Sequence, residues 1–362
     1  LNKEEKLKKA VFIVLIVLLS TSVESMRVEL MRKVKLSQEN KIIELAASMV
    51  VTEDNLVIIT DLKAGNLKIY SESGEFISTW GNKGAGPNEF LIPFFSDYQK
   101  GNLVIMDFGK RKNFVLERKG KTGLVLKKEF FCIETGDDIR IIGDQVLVSG
   151  HRVDENGEIY DLYIRNYENG KITFLLPTSI KYGFKSYKEF EKEDDRTEKF
   201  RTLSRVSYCD WLDNDVFYVW RGDLKIFKID VNSKKTVTFG HKTSNYVKPY
   251  VTKEMRMARV RKERKKNDEE AKMSFIIGLF AGSHYLGLMY QEAPYNSEAY
   301  PDVISQFYTL AGDFINECKM PDKPTNTTYF NRSSNMLYSL AYVENEKSET
   351  LDVYVLQYRI IQ

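Results

Sequence analysis

The chain has few of the residues on which metal and covalent chemistry are usually built: three histidines and three cysteines among 362 residues. His151, His241 and His284 are scattered and none sits in an HExxH arrangement, so no helical two-histidine zinc site is encoded. Cys132, Cys209 and Cys318 form no CxxC pair. That excludes a thiolate zinc site and a dense disulfide framework, and leaves three small, partly buried apolar side chains. No GxSxG motif occurs, so there is no strained nucleophile elbow. An excess of charge of one sign is lacking too. The formal net charge is +3, too small to imply a global pull toward nucleic acid or an anionic membrane. We expect no metal, no cofactor and no nucleic-acid partner, and no catalytic residue can be assigned.

Aromatic residues are plentiful, with 21 Tyr, 21 Phe and 3 Trp, as suits sheets packed face to face. The N-terminus reads as an export signal. Lys3, Lys6, Lys8 and Lys9 precede the charge-free run AVFIVLIVLL at residues 10–19, and small residues follow at Ser20, Thr21, Ser22 and Ser25. The run is too short to span a bilayer comfortably, since spanning takes about 20 apolar residues. We therefore read residues 1–25 as a signal peptide, or as an uncleaved anchor because no clean A-x-A site appears. A periplasmic or cell-surface protein is expected, touching membrane only through that segment and otherwise monomeric.

From residue 43 onward one pattern recurs six times. Its clearest parts are nearly unbroken apolar runs opened by a polar turn residue: NLVIITD, NLVIMD, DQVLVSG, DVFYVW, HYLGLMY and NMLYSLAY, at 55–61, 102–107, 144–150, 215–220, 284–290 and 335–342. Such runs suit strands covered on both faces. Each is followed by an alternating partner run, and in five of the six by a turn and an outer strand. The sixth unit lacks its outer strand. The strand-like segment 28–36 (VELMRKVKL) can supply it and close the ring, which removes the exposed sheet edges. The expected fold is all-β: a six-bladed β-propeller over residues 26–362, closed by 28–36 pairing with the last blade.

At 80–93 the chain reads WGNKGAGPNEFLIP, and a strand ending in Asp107 follows. This resembles the NHL-repeat-like exported bacterial six-bladed propellers, whose blades are joined by a glycine-rich GxGPGEF-type turn that ends in Pro and leads to a strand finishing in Asp. The matching residues are Gly81, Gly84, Gly86, Pro87, Phe90, Pro93 and Asp107, with Glu89 between them, and Asp61 holds the same place in the preceding unit. Asn88 stands where the family has Gly, a change that keeps left-handed tolerance. The pattern is strong in the first two units and fades in the other four. It implies a fold and is nearly silent on activity. A phosphate cradle needs a GK[ST] ending or a strand–loop–helix setting, which this stretch lacks, so its glycines read as turn formers.

Two charged segments, 181–205 and 251–273, lengthen the connections between blades. The second carries nine Lys and Arg against five Asp and Glu, and both read as helical insertions. In a propeller these connections share a face with the turns between second and third strands. The candidate ligand contacts lie there: His151, Arg152, Trp220, Arg221, Tyr290, Glu292 and Tyr295, with Arg261 and Arg264 from the basic insertion. The basic run reads first as a solvated helix face and only then as a contact for an anionic partner. The expected function is a cell-envelope binding or scaffold protein taking a protein, peptide or glycan on this face. The alternative is a channel-metal hydrolase or lyase, for which His284 and Asp210 are the nearest candidates.

Overall fold

A computed structural model describes residues 25–37, 42–120, 122–131, 136–178, 206–249, 273–293, 301–322, 324–325, 327–345 and 350–362. Among them every regular element is a strand, and all but two short ones belong to six four-stranded antiparallel sheets. The chain opens with β1 (Arg27–Lys35). Blade 1 then comprises β2 (Ala46–Val51), β3 (Val57–Asp61), β4 (Asn66–Tyr70) and β5 (Phe76–Trp80). Two short strands, β6 (Asn82–Lys83) and β7 (Glu89–Phe90), lead to blade 2, made of β8 (Pro93–Gln99), β9 (Asn102–Asp107), β10 (Lys112–Lys119) and β11 (Gly123–Phe131). Blade 3 is β12 (Gly136–Ile142), β13 (Gln145–Val153), β14 (Ile159–Asn166) and β15 (Ile172–Pro177). Blade 4 is β16 (Ser207–Leu212), β17 (Asp215–Trp220), β18 (Ile226–Asp230) and β19 (Thr236–Phe239). Blade 5 is β20 (Phe275–Ala281), β21 (Tyr285–Gln291), β22 (Val303–Thr309) and β23 (Phe314–Lys319). In blade 6, β24 (Thr328–Asn331), β25 (Met336–Asn345) and β26 (Thr350–Ile361) are completed by β1.

The closing strand pairs antiparallel with β26, Val28 opposite Ile360 and Val34 opposite Val355. Its N-terminal end is also fastened sideways to blade 5, where the Met26 N–H donates to Asn316 Oδ1 (2.9 Å) and Asn316 Nδ2 donates to the Met26 carbonyl (2.8 Å).

Burial follows position in the blade. Second strands are covered on both faces, as in β3 and β9, because each lies between sheet neighbours and between adjacent blades. Outer strands such as β5 alternate half-buried and exposed residues, as expected where one face meets water. The core is divided among six apolar clusters, one in each seam between blades. Val50, Leu103 and Phe114 meet between blades 1 and 2, and Met49, Tyr338 and Val355 between blades 6 and 1. The remaining four seams are filled in the same way.

Because strands run in sequence from axis to rim, blade-to-blade connections and second-to-third turns leave the sheets on one face. First-to-second and third-to-outer turns leave on the other. The segments 181–205 and 251–273, read as helical insertions, lie outside the described residues apart from Met273, which is buried. No helix occurs among the described residues. The proposed signal segment 1–25 also lies outside them, apart from Ser25.

Candidate functional site

The six first strands surround a cavity of about 400 Å³ on the ring axis. They carry unlike residues. At the position two residues before the end of each strand stand Met49, Asp97, Arg140, Asp210, Leu279 and Tyr329, in blades 1 to 6, and all six line the cavity. Three charged residues from blades 2, 3 and 4 therefore face three apolar or aromatic ones from blades 5, 6 and 1. Four of the first strands, those of blades 1, 2, 3 and 5, are bulged near their start. A bulge re-aims the residues beyond it. In β12 the register shift falls between Gly136 and Asp138, immediately before Asp138 and Arg140, the two charged side chains that this strand gives to the cavity.

Each seam is also bridged near the axis by a side-chain hydrogen bond. Ser48 Oγ meets Ser96 Oγ at 2.8 Å between blades 1 and 2. Asp97 accepts the Ile141 N–H at 2.8 Å, Asp138 the Cys209 N–H at 3.1 Å and Asp210 the Ala281 N–H at 2.6 Å, each reaching the next blade. Arg332, in the turn after β24, donates from Nε to the Ala281 carbonyl at 3.1 Å. Asn331 Nδ2 donates to the Val51 carbonyl at 3.2 Å and completes the circuit. Two side chains go further. Arg332 Nη2 passes blade 5 to reach Asp210 Oδ1 at 2.6 Å, and the Tyr329 hydroxyl passes blade 1 to donate to the Tyr98 carbonyl at 2.9 Å.

The electrostatics are uneven. Arg140 is bonded to Asp138 Oδ1 at 2.6 Å, with its Nε 3.7 Å from Asp210. Burial pulls the Arg140 guanidinium down, but Asp138, Asp97 and Asp210 outweigh that and hold it above its ordinary value. Burial also raises Asp138, against the pull of Arg140. Asp97 is buried and accepts the backbone of Ile141 but, among the described residues, no hydrogen bond from a charged group. Burial pushes its carboxyl up to about 6, despite the opposing field of Arg140. A perturbed carboxylate in a cavity marks a candidate site on physical grounds. Among the described residues no three His, Cys, Asp or Glu side chains are grouped to hold a metal ion.

The residues singled out from sequence are placed elsewhere. His151 Nδ1 lies 2.9 Å from Asp161 in blade 3, and Arg152 stacks 5.4 Å from the Tyr163 ring centroid. Arg221 lies over Phe275 at 4.7 Å, and the Glu292 N–H donates to the Asp302 carbonyl. Trp220 and Tyr290 are interior rather than presented to solvent. Trp220 covers Gly222, where an added Cβ would come within 2.2 Å of the indole, and Tyr290 packs edge-on against Tyr246 in the seam of blades 4 and 5. None of these six lines the axial cavity. Tyr295, Arg261 and Arg264 lie outside the described residues. Asp210 lines the cavity, whereas His284 is exposed in a first-to-second turn. Asp97, Asp138, Arg140 and Arg332 were not found from sequence. For Asp97, Asp138 and Arg140 the available signal was charged residues inside the strand segments SDYQ and DDIRII, whereas Arg332 lies in a turn.

The glycine-rich stretch is structural in its contacts. Asp61 accepts the N–H groups of Glu44, Leu45 and Ala64 and the Lys68 ammonium, and Asp107 accepts those of Leu91, Ile92 and Lys110. Both carboxylates thereby tie the entry of a blade's first strand to the end of its second. Asn88 has φ 56°, the left-handed conformation that Asn tolerates. At Gly84 an added Cβ would meet Glu89 Oε2 at 2.2 Å. Phe90, fully buried, is lodged between Trp80 and Phe114, and Pro93 opens β8. Cys209 is buried and Cys318 half-buried, both as free thiols, while Cys132 lies outside the described residues.

Residues 36–123 match the model of a family, DUF5128, described as a 6-bladed beta-propeller. No curated protein matches the chain. The fold is similar to that of a DUF4221 family member from Bacteroides vulgatus, with TM-score 0.61 and 11% identity, covering 93% of this chain and 99% of that one. It is also similar to a Bacteroides fragilis protein described as a candidate exported protein, with TM-score 0.57 and 14% identity, covering 92% of this chain and 96% of that one. At such identities the likeness speaks to fold. The resemblance read from the sequence is met at the level of the six-bladed propeller and not at that of the NHL repeat itself.

Proposed function

We propose that this chain is an exported bacterial binding or scaffold protein of the cell envelope, monomeric and without a nucleic-acid partner, whose ligand enters the axial cavity. One observation carries the reading: an axial cavity of about 400 Å³ in which Asp97, Arg140 and Asp210 of blades 2 to 4 oppose Leu279, Tyr329 and Met49 of blades 5, 6 and 1. Its volume falls within the roughly 300–1,000 Å³ of small-ligand pockets, and a mixed lining with a few placed polar groups is what such pockets use for orientation. The charged groups are tied to backbone or to one another, an arrangement suited to a rigid receptor. The face carrying His151, Arg152, Arg221 and Glu292 can meet the bulkier part of a protein, peptide or glycan. Export is supported by the lysine-led apolar segment at the N-terminus and by the description of the Bacteroides fragilis neighbour.

The test is thermal unfolding of the protein with muropeptides, oligosaccharides and short peptides, alongside a Ser48→Tyr variant that fills the cavity. A binder is expected to raise the melting temperature of the native protein and not of the variant. Equal shifts in both, or none with any class, reject the axial site. Recovery of the tagged full chain in the cytoplasm of its native host rejects export.

A further inference from the structure

Resting on the reading of the axial cavity as a ligand site, we propose that it recognises a primary ammonium group carried on an apolar stem, with Asp97 as the anion that receives the charge. Arg140 is bonded to Asp138 and Arg332 to Asp210, so the two guanidinium groups each have a carboxylate. Among the described residues the axial cluster holds three carboxylates and these two cations, which leaves one negative charge without a counterpart. The exposed pair Glu53 and Lys100, where the cavity reaches the hairpin face, cancels and does not alter that balance.

The excess charge falls on Asp97 by geometry. Its Oδ2 takes the Ile141 N–H, and among the described residues no charged donor bonds it. A buried carboxylate is costly unless it is paired, so a cation that reached it would replace lost hydration with a charge-assisted bond. An anion would have to displace Asp138 or Asp210 from the arginines and would meet the same surplus of negative charge. The apolar side of the cavity, with Met49 and Leu279, sets the second requirement, a hydrocarbon stem that covers it while the head reaches Asp97. A lysine side chain of a partner and a free alkylamine share this chemistry.

The experiment uses hexylammonium, hexanoate and hexanol as probes on the full chain, followed by isothermal titration. Hexylammonium is expected to bind, with hexanol and hexanoate at least tenfold weaker. Asp97→Asn should weaken the amine at least tenfold, while Asp54→Asn, in an exposed turn of blade 1, should leave it unchanged. Preference for hexanoate, or unaltered amine binding in Asp97→Asn, overturns the proposal. Should that variant fail to fold, the carboxyl carbon of Asp97 in the native protein is titrated by NMR with and without amine. A carboxyl whose titration the amine does not lower also overturns it. If a muropeptide or peptide binds the cavity and hexylammonium does not, the ammonium assignment alone falls. If neither binds, the axial site falls with it. An Nα-acetyl-lysine amide that binds more tightly than hexylammonium identifies the source as a lysine of a partner, and the reverse order a free amine; either supports the shared chemistry.

Discussion

At the scale of single residues, the buried carboxyl of Asp97 couples the ring to pH. Its acidity in the folded chain is moved to about 6 from an ordinary 3.8, chiefly by burial. A group bound more tightly to its proton in the folded state favours folding below its unfolded value, and that advantage is lost as pH rises through the folded one. Between about pH 4 and 6 this residue therefore makes the protein less stable as pH increases. At about 1.4 kcal/mol for each pH unit crossed, the loss reaches about 3 kcal/mol above pH 6. Asp97→Asn keeps an oxygen for the Ile141 N–H and removes the charge. It is expected to raise stability at pH 7 by up to about 3 kcal/mol and to leave it nearly unchanged at pH 4. Urea unfolding of both proteins at the two pH values checks this; a difference that does not grow with pH contradicts it.

At the scale of elements, the turn between blades 1 and 2 acts as a packed wedge. Phe90 is fully buried, with its ring centroid 5.6 Å from Trp80 and 5.2 Å from Phe114. Truncating a buried Phe costs about 3–5 kcal/mol through lost transfer energy and the cavity left behind. We expect Phe90→Ala to fall in that range by chemical denaturation, and a loss below about 1 kcal/mol would show that the wedge is dispensable. This turn was legible from sequence because its glycines, Pro87 and Asp107 lie within one short stretch. The second and third strands were legible for a similar local reason: long apolar or alternating runs bounded by turn residues. The axial strands were not. Four of the six are bulged, which interrupts the period of two, and β8, β12 and β16 mix charged with apolar residues. Asp97, Arg140 and Asp210 belong to three blades, and nothing local announces that they share a layer. Trp220 and Tyr290 misled for the converse reason, since aromatic residues beside turns can equally be packed inward over Gly222 or against Tyr246.

For the whole molecule, stability is shared among six seams, each with an apolar cluster and an axial bridge. Arg332 is a strut across two seams, joining blade 6 to the carbonyl of Ala281 and the carboxylate of Asp210. Removing one partner of a buried ion pair leaves the other charge unmatched, which is strongly destabilising, although Arg332 keeps 29% side-chain exposure and the cost is reduced accordingly. Arg332→Met is expected to lower stability by about 2 kcal/mol, and Asp210→Asn in the same chain to recover part of it. Additive losses in the double variant would mean that the two residues are not coupled.

The pairing of β1 with β26 has a consequence for how the chain reaches this form. Its partner is the most distant strand in the sequence, so sealing the circle is a long-range event that must await synthesis of residues 350–361. Until then β1 has no sheet to join, and the nascent molecule is an open arc of five blades with unguarded rims. Loop closure over such a span is entropically slow, and the arc is most prone to misassembly in that interval.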